Sequence, residues 1–241
     1  MVWALAFAIL LKLLGGGSPF LIPKLDNYVK KHVQDDTRKK EVLVLLKDAK
    51  KNRKATAKQN KKHFKEIHKL YKSRDTETAD FETVLNEILK TQEEAQKYNI
   101  TVNQESQELI NEEEWAAIHI DIKESLGKTD KKRTKNRLKM EKHFLKTEAK
   151  ITKNIANLEK RTQAIAAVEK LKNLYVKNHQ IIQDEIMNEN SIVYQYKASN
   201  KELIVLQDEF VDLIKDVYVL SFKTHQELVN LTTPEEWKKI Q

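Results

Sequence analysis

His63 and Glu66 stand three residues apart in the stretch KKHFKE, one turn apart on a helix, and are the nearest thing in the chain to a metal-binding pair. An imidazole and a carboxylate at that spacing can share a divalent cation. The neighbouring Lys61, Lys62 and Lys65 make two solvated surface residues the expected reading instead. The other histidines are His32, His68, His119, His143, His179 and His225. None follows a Glu at the three-residue spacing of a helical di-iron site, and HExxH does not occur. Gly15 to Gly17 lacks the Lys-Ser/Thr of a phosphate loop, and GxSxG is absent. With no cysteine there is no thiolate nucleophile, disulfide or Cys-ligated zinc. An enzyme is not expected, and no catalytic residue, cofactor or metal is assigned.

Polyanion binding is the other chemistry the residue types allow. Lys47, Lys51, Lys54, Lys58, Lys61, Lys65, Lys69 and Lys72 run along one side of a helical pattern and could follow a phosphate backbone. Phe64 and Tyr71, the aromatics nearby, belong to the apolar seam and not to the lysine face where they could stack on bases, so a solvated or internally paired face is preferred. A denser cluster lies in KTDKKRTKNRLK: Lys128, Lys131, Lys132, Arg133, Lys135, Arg137 and Lys139. If these residues open a helix, its dipole disfavours them, which points to an anionic lipid surface, nucleic acid or an acidic partner, with plain solvation as the equal alternative. The sequons at Asn99 and Asn230 are attributed to chance in an Asn-rich chain.

The elements that must carry these residues are helices. Four Gly and three Pro in 241 residues supply too few turns for a β fold, and 33% charged against 40% hydrophobic favours long, thin helices. The seam Val42, Leu46, Ala49, Thr56, Phe64, Ile67, Tyr71 predicts one long helix, with Arg53 and Asn60 weakening its middle. Arg74 to Thr76 marks a turn, and Phe81, Val84, Leu85, Ile88, Leu89, Ala95 predict the returning helix. After Gly127 the pattern restarts through Phe144, Thr147, Ile151, Ile155, Leu158, Thr162, Ile165, Leu171 and Tyr175, with a partner helix along Leu203, Leu206, Phe210, Leu213, Val217 and Leu228.

Charge follows the same division. Residues 39–72 hold thirteen Lys/Arg against three acids, and 75–114 hold two against twelve; 128–177 hold sixteen against five, and 184–227 four against nine. A basic helix followed by an acidic one thus occurs twice, and pairing within each hairpin is expected.

Each acidic helix is followed by a related phrase, NEEEWAAI at 111–118 and TPEEWKKI at 233–240. Asn111 with Glu114, and Thr233 with Glu236, have capping-box spacing; Trp115 and Trp237 sit four residues after their caps. Each phrase predicts a short helix that plants a Trp. QELI at 107–110 and QELV at 226–229 strengthen the repeat, with extra residues before the second cap.

Val2 to Ile22 is the one stretch resembling a membrane segment, through Val2, Trp3, Leu5, Phe7, Ile9, Leu10, Leu11, Leu13, Leu14, Phe20, Leu21 and Ile22. Lys12, the three glycines and Pro19 interrupt it, and fully helical it barely spans. A membrane anchor is preferred; the alternatives are a cleaved signal peptide, although no basic n-region precedes it, and an apolar strip buried against a partner or re-entrant in a complex. Basic residues follow the segment, which places the body in the cytoplasm by the positive-inside rule, with an outward-facing body still open.

The expectation is therefore an all-α, elongated bundle of long antiparallel, coiled-coil-like hairpins with a two-half internal repeat. It divides into an anchor at 1–23 and two hairpin units at 24–127 and 128–241. As function we expect a membrane-anchored, non-enzymatic scaffold, stalk or adaptor, with proteins of a membrane complex or a second copy as partners and the bilayer at its N-terminus. The alternatives are a membrane-tethered binder of nucleic acid or anionic lipid, and a membrane-inserting toxin, effector or helical sensor.

Overall fold

The computed structural model describes residues 20–241, except for the side chains at 128–130, 132 and 133. Among the described residues every regular element is helical: α1 (Leu25–His32), α2 (Asp36–Lys72), α3 (Thr78–Glu108), α4 (Glu112–Asn154), α5 (Leu158–Met187), a 3-10 turn (Ile192–Tyr194), α6 (Asn200–Leu231) and α7 (Pro234–Ile240).

Local chemistry sets where these helices start. Asp35 accepts the amide of Arg38 at 2.8 Å to open α2, and Asn157 accepts that of Lys160 at 2.9 Å to open α5. Thr76 turns the chain between α2 and α3 by donating to the Leu70 carbonyl at 2.6 Å. The five long helices alternate in direction. α3 packs on both α2 and α6, α5 on both α4 and α6, while α1 bridges α2 and α4, and α7 rests on α4. The hairpins are thus parts of one bundle rather than free two-stranded coiled coils, because an apolar face shared by three helices cannot be closed by two.

Two sequence expectations fail within α4 and α5. The Trp115 helix is not short: it continues through Gly127 for 43 residues. A single glycine costs a helix about 1 kcal/mol, too little to break one anchored by buried Ile118 and Ile122 on one side and Met140 and Phe144 on the other. The basic run 128–177 is not one helix either. It breaks at Ile155 to Asn157, where Ile155 turns extended and Asn157 caps the next helix. Leu158, placed in the seam by its spacing, is 66% exposed.

A constant register links the halves. The helix caps Asp35, Glu77 and Asn111 recur as Asn157, Ser199 and Thr233, each 122 positions on, as for the tryptophans (237 − 115 = 122). Buried side chains keep the same spacing: Val29 and Ile151, Val33 and Ile155, Leu46 and Val168, Ile88 and Phe210, Ile118 and Ile240. The extra residues expected before the second cap therefore vanish. QELV lies inside α6 while QELI runs off the end of α3, so the two are not equivalent.

The apolar run at the N-terminus meets the core. Phe20, Leu21 and Ile22, assigned above to a membrane segment, are buried, with the Phe20 ring 6.2 Å from that of Phe210. An apolar triplet satisfies a protein core as well as lipid, and composition does not separate the two. Val2, Trp3, Leu5, Phe7, Ile9, Leu10, Leu11, Leu13 and Leu14 lie outside the described residues. No helix among the described residues is long and apolar enough to cross a membrane.

Candidate functional site

The two EEW phrases lie at opposite ends of the bundle, and both form the predicted capping boxes. Asn111 Oδ1 accepts the Glu114 amide at 2.8 Å and Glu114 Oε2 accepts the Asn111 amide at 3.1 Å. Thr233 Oγ1 accepts the Glu236 amide at 3.2 Å and Glu236 Oε2 accepts that of Thr233 at 2.9 Å. In each box the second carboxylate oxygen reaches the middle of an interhelix link: Glu114 Oε1 accepts from the Gln34 amide at 2.9 Å, and Glu236 Oε1 from the Ala156 amide at 3.1 Å. Gln34 and Ala156 are themselves 122 positions apart.

The tryptophans exchange partners between halves. Trp115 donates its indole N–H to the Tyr194 carbonyl at 3.1 Å, and Trp237 donates to the Lys72 carbonyl at 3.4 Å. Beside them, Tyr196 donates to the Ile110 carbonyl at 2.9 Å, and Arg74 donates to those of Thr232 and Val229, both at 2.8 Å. Tyr194 and Lys72, like Tyr196 and Arg74, hold the same register. Each half therefore closes the other's end, as in an isologous dimer made from one chain.

The two boxes differ in charge. Arg38 grips Glu114 with both terminal guanidinium nitrogens, Nη1 at 2.8 Å and Nη2 at 3.0 Å, and Nη1 also donates to the Leu109 carbonyl. Burial pushes the Glu114 carboxyl up, but Arg38 and the Gln34 and Asn111 amides outweigh it and hold the group below its ordinary value. The Thr233 and Ala156 amides lower Glu236 instead. Sequence spacing found the caps; it missed Arg38, Arg74, Tyr196 and Gln34, which arrive through tertiary packing.

A buried aromatic cluster backs Trp237. The His225 ring lies 5.1 Å from Trp237, 5.4 Å from Tyr71 and 6.1 Å from Phe222. Burial lowers its pKa to about 4, so the ring is neutral at pH 7.

The basic cluster is divided. Lys131, Lys135 and Lys139 are exposed on α4, whereas Arg137 is half-buried and donates to Gln180; the side chains of Lys128, Lys132 and Arg133 lie outside the described residues. The cluster sits in the middle of α4, whose first turn holds Glu112, Glu113 and Glu114, so the helix-dipole argument for it does not apply. On α2 the lysine stripe is exposed along its length. Among the described residues, none of these lysines reaches a carboxylate of α3 within 4 Å. Lys51 pairs with Asp48 one turn away, and the adjacent Lys50 with Asp26 of α1. The expected pairing within the hairpin is therefore corrected for this stripe: α2 and α3 meet through their apolar seam, without ion pairs from these lysines to α3.

His63 is also corrected. It is a buried residue, 6% exposed, facing α3, with Nε2 3.3 Å from the Thr91 hydroxyl and Nδ1 beside Glu66 and Glu87. Among the described residues these three side chains form the set able to hold a metal ion. Next to them Gln92 donates to Asn60 at 3.0 Å, so the polar seam residue of α2 meets a polar partner on α3.

No protein-family model, curated protein or solved structure matches the chain.

Proposed function

We propose that the protein is a non-enzymatic helical scaffold or adaptor that works in a larger assembly at a membrane. The observation that carries this reading is the use made of the repeated motif: its carboxylates, caps and indoles all close onto backbone atoms of the chain itself. Such groups build a rigid body and leave its long outer faces for binding. Leu138 and Leu145, 49% and 55% exposed, lie two turns apart on α4 and suit a protein partner or a second copy. The apolar residues before Phe20 would tie the body to a bilayer. Because Phe20 to Ile22 are seated in the core, residues 2–19 alone are left for the bilayer; even fully helical they would reach roughly 27 Å against a hydrocarbon core of about 30 Å, so the body would have to sit directly on the headgroups. The test is fractionation of the full chain. Retention in the membrane pellet through high-salt and alkaline washes supports the scaffold, and its loss on deleting residues 1–19 assigns the anchor.

A second reading is favoured by the exposed stripe from Lys47 to Lys72, which makes no ion pair with α3. A tethered binder of anionic lipid or nucleic acid would need such a face, and the absence of pairing with α3 leaves it available. Release of the protein from membranes by salt alone selects that reading.

A further inference from the structure

The geometry points to a divalent metal site, of the tetrahedral zinc type, formed by His63 and Glu66 of α2 with Glu87 of α3. His63 Nδ1 lies 3.5 Å from Glu66 Oε2 and 3.7 Å from Glu87 Oε2, and one ligand atom of each side chain falls within 4.8 Å of the others. Those separations are too long for hydrogen bonds, and the enclosed Nδ1 has no hydrogen-bond partner. They suit a shared ion. With metal–ligand bonds of about 2.0 to 2.2 Å, two tetrahedral ligands stand about 3.4 Å apart.

The imidazole is also oriented for the task. Thr91 lies at the opposite ring nitrogen, where a proton on Nε2 can be given to its hydroxyl, leaving the Nδ1 lone pair facing the carboxylates. Both carboxylates are half-exposed and line a surface groove with Lys58, Gln59 and Lys62, so an ion could enter and a fourth position stays open to water or a small ligand. One imidazole and two carboxylates are borderline to hard donors, which selects Zn2+ and its first-row neighbours over soft copper(I). Lys58 and Lys62 weaken the site by repulsion but are exposed and screened. A bound ion would staple α2 to α3 where the seam is most polar, beside Asn60 and Gln92.

The experiment is calorimetric titration of the full chain with ZnCl2 at neutral pH, accompanied by Co2+ absorption spectroscopy. One Zn2+ per chain is expected, with visible bands of tetrahedral Co2+ and a rise in Tm on addition of metal. Glu66→Gln and Glu87→Gln, at exposed carboxylates that leave the fold intact by circular dichroism, should each weaken binding at least about tenfold. Glu105→Gln, exposed farther along α3, should leave it unchanged. Absence of binding at 100-fold excess Zn2+, or binding that survives either of the first two substitutions, overturns the site.

Discussion

Trp237 donates its indole N–H to the carbonyl of Lys72, a residue 165 positions earlier, and so fastens the last helix of the chain to the end of its first long one. Trp115 does the same for Tyr194 in the opposite sense. Replacing either by Ala should cost about 3 kcal/mol or more, as for a large buried ring. Trp115→Phe, which keeps most of the volume but deletes the donor, should cost about 1 kcal/mol by leaving the Tyr194 carbonyl short of a partner, whereas Trp237→Phe should cost less, because Gln241 also donates to the Lys72 carbonyl at 2.6 Å. Chemical denaturation of the four variants measures this. A loss confined to one end would show that the two clamps are not equivalent.

Arg38 makes the first clamp the more demanding of the two. Glu114→Gln leaves a guanidinium without its carboxylate and should destabilise more than Glu236→Gln, whose partners are amides. The Arg38→Ala and Glu114→Gln double-mutant cycle should show coupling, and Glu236→Gln should add independently to either.

Truncation separates the seated residues from those that precede them. Removing residues 1–19 should leave a soluble, helical protein, whereas removing 1–23 also takes Phe20 and should lower the Tm sharply. A buried Phe is worth about 3 to 5 kcal/mol. Equal Tm values for the two truncations would place Phe20 outside the core.

Acid should weaken the bundle through His225. Its folded pKa of about 4 lies below the ordinary 6.5, so the unfolded chain binds the proton first. The native state therefore loses stability as pH falls from about 6.5 to about 4, by on the order of 3 kcal/mol, and is whole above that window. His225→Phe should flatten the Tm profile across this interval, leaving the steeper loss below pH 4 that comes from lowered carboxyls such as Glu114 and Asp121.

Reversing Lys58, Lys61 and Lys65 to Glu should barely change melting, because these side chains pair with nothing on α3 and exposed charges contribute little. If the stripe serves a polyanion, the same variant should lose salt-sensitive retention on anionic liposomes or DNA. Hydrogen exchange measured on α2 and α3 distinguishes a loosened hairpin from a lost binding face.

What the sequence revealed and what it hid follow from the range of each interaction. Asn111 with Glu114, and Thr233 with Glu236, were legible because a capping box is three residues long. Glu87 was not, since its place beside His63 depends on how two helices align. The break at Ile155 was masked by apolar spacing that carries across it, although Asn157 followed by Leu-Glu-Lys is a readable cap. The 122-residue register was obscured by the accidental echo of QELI in QELV. Phe20 shows a further limit: an apolar residue states its preference for a dry surrounding but not which one.

The reciprocal seating of the tryptophans also governs the order of events at the ribosome. Until α6 and Trp237 have been synthesised, the rings of Tyr71 and Phe81 lack Phe222 and His225 and the Lys72 carbonyl lacks its indole, and at about 5 to 20 residues per second that interval is roughly ten to thirty seconds. The early helices must wait through it with apolar faces open, the condition under which a nascent chain is prone to aggregate. Because the decisive contacts join residues so far apart in the chain, closure should be late, slow and all at once, rather than half by half.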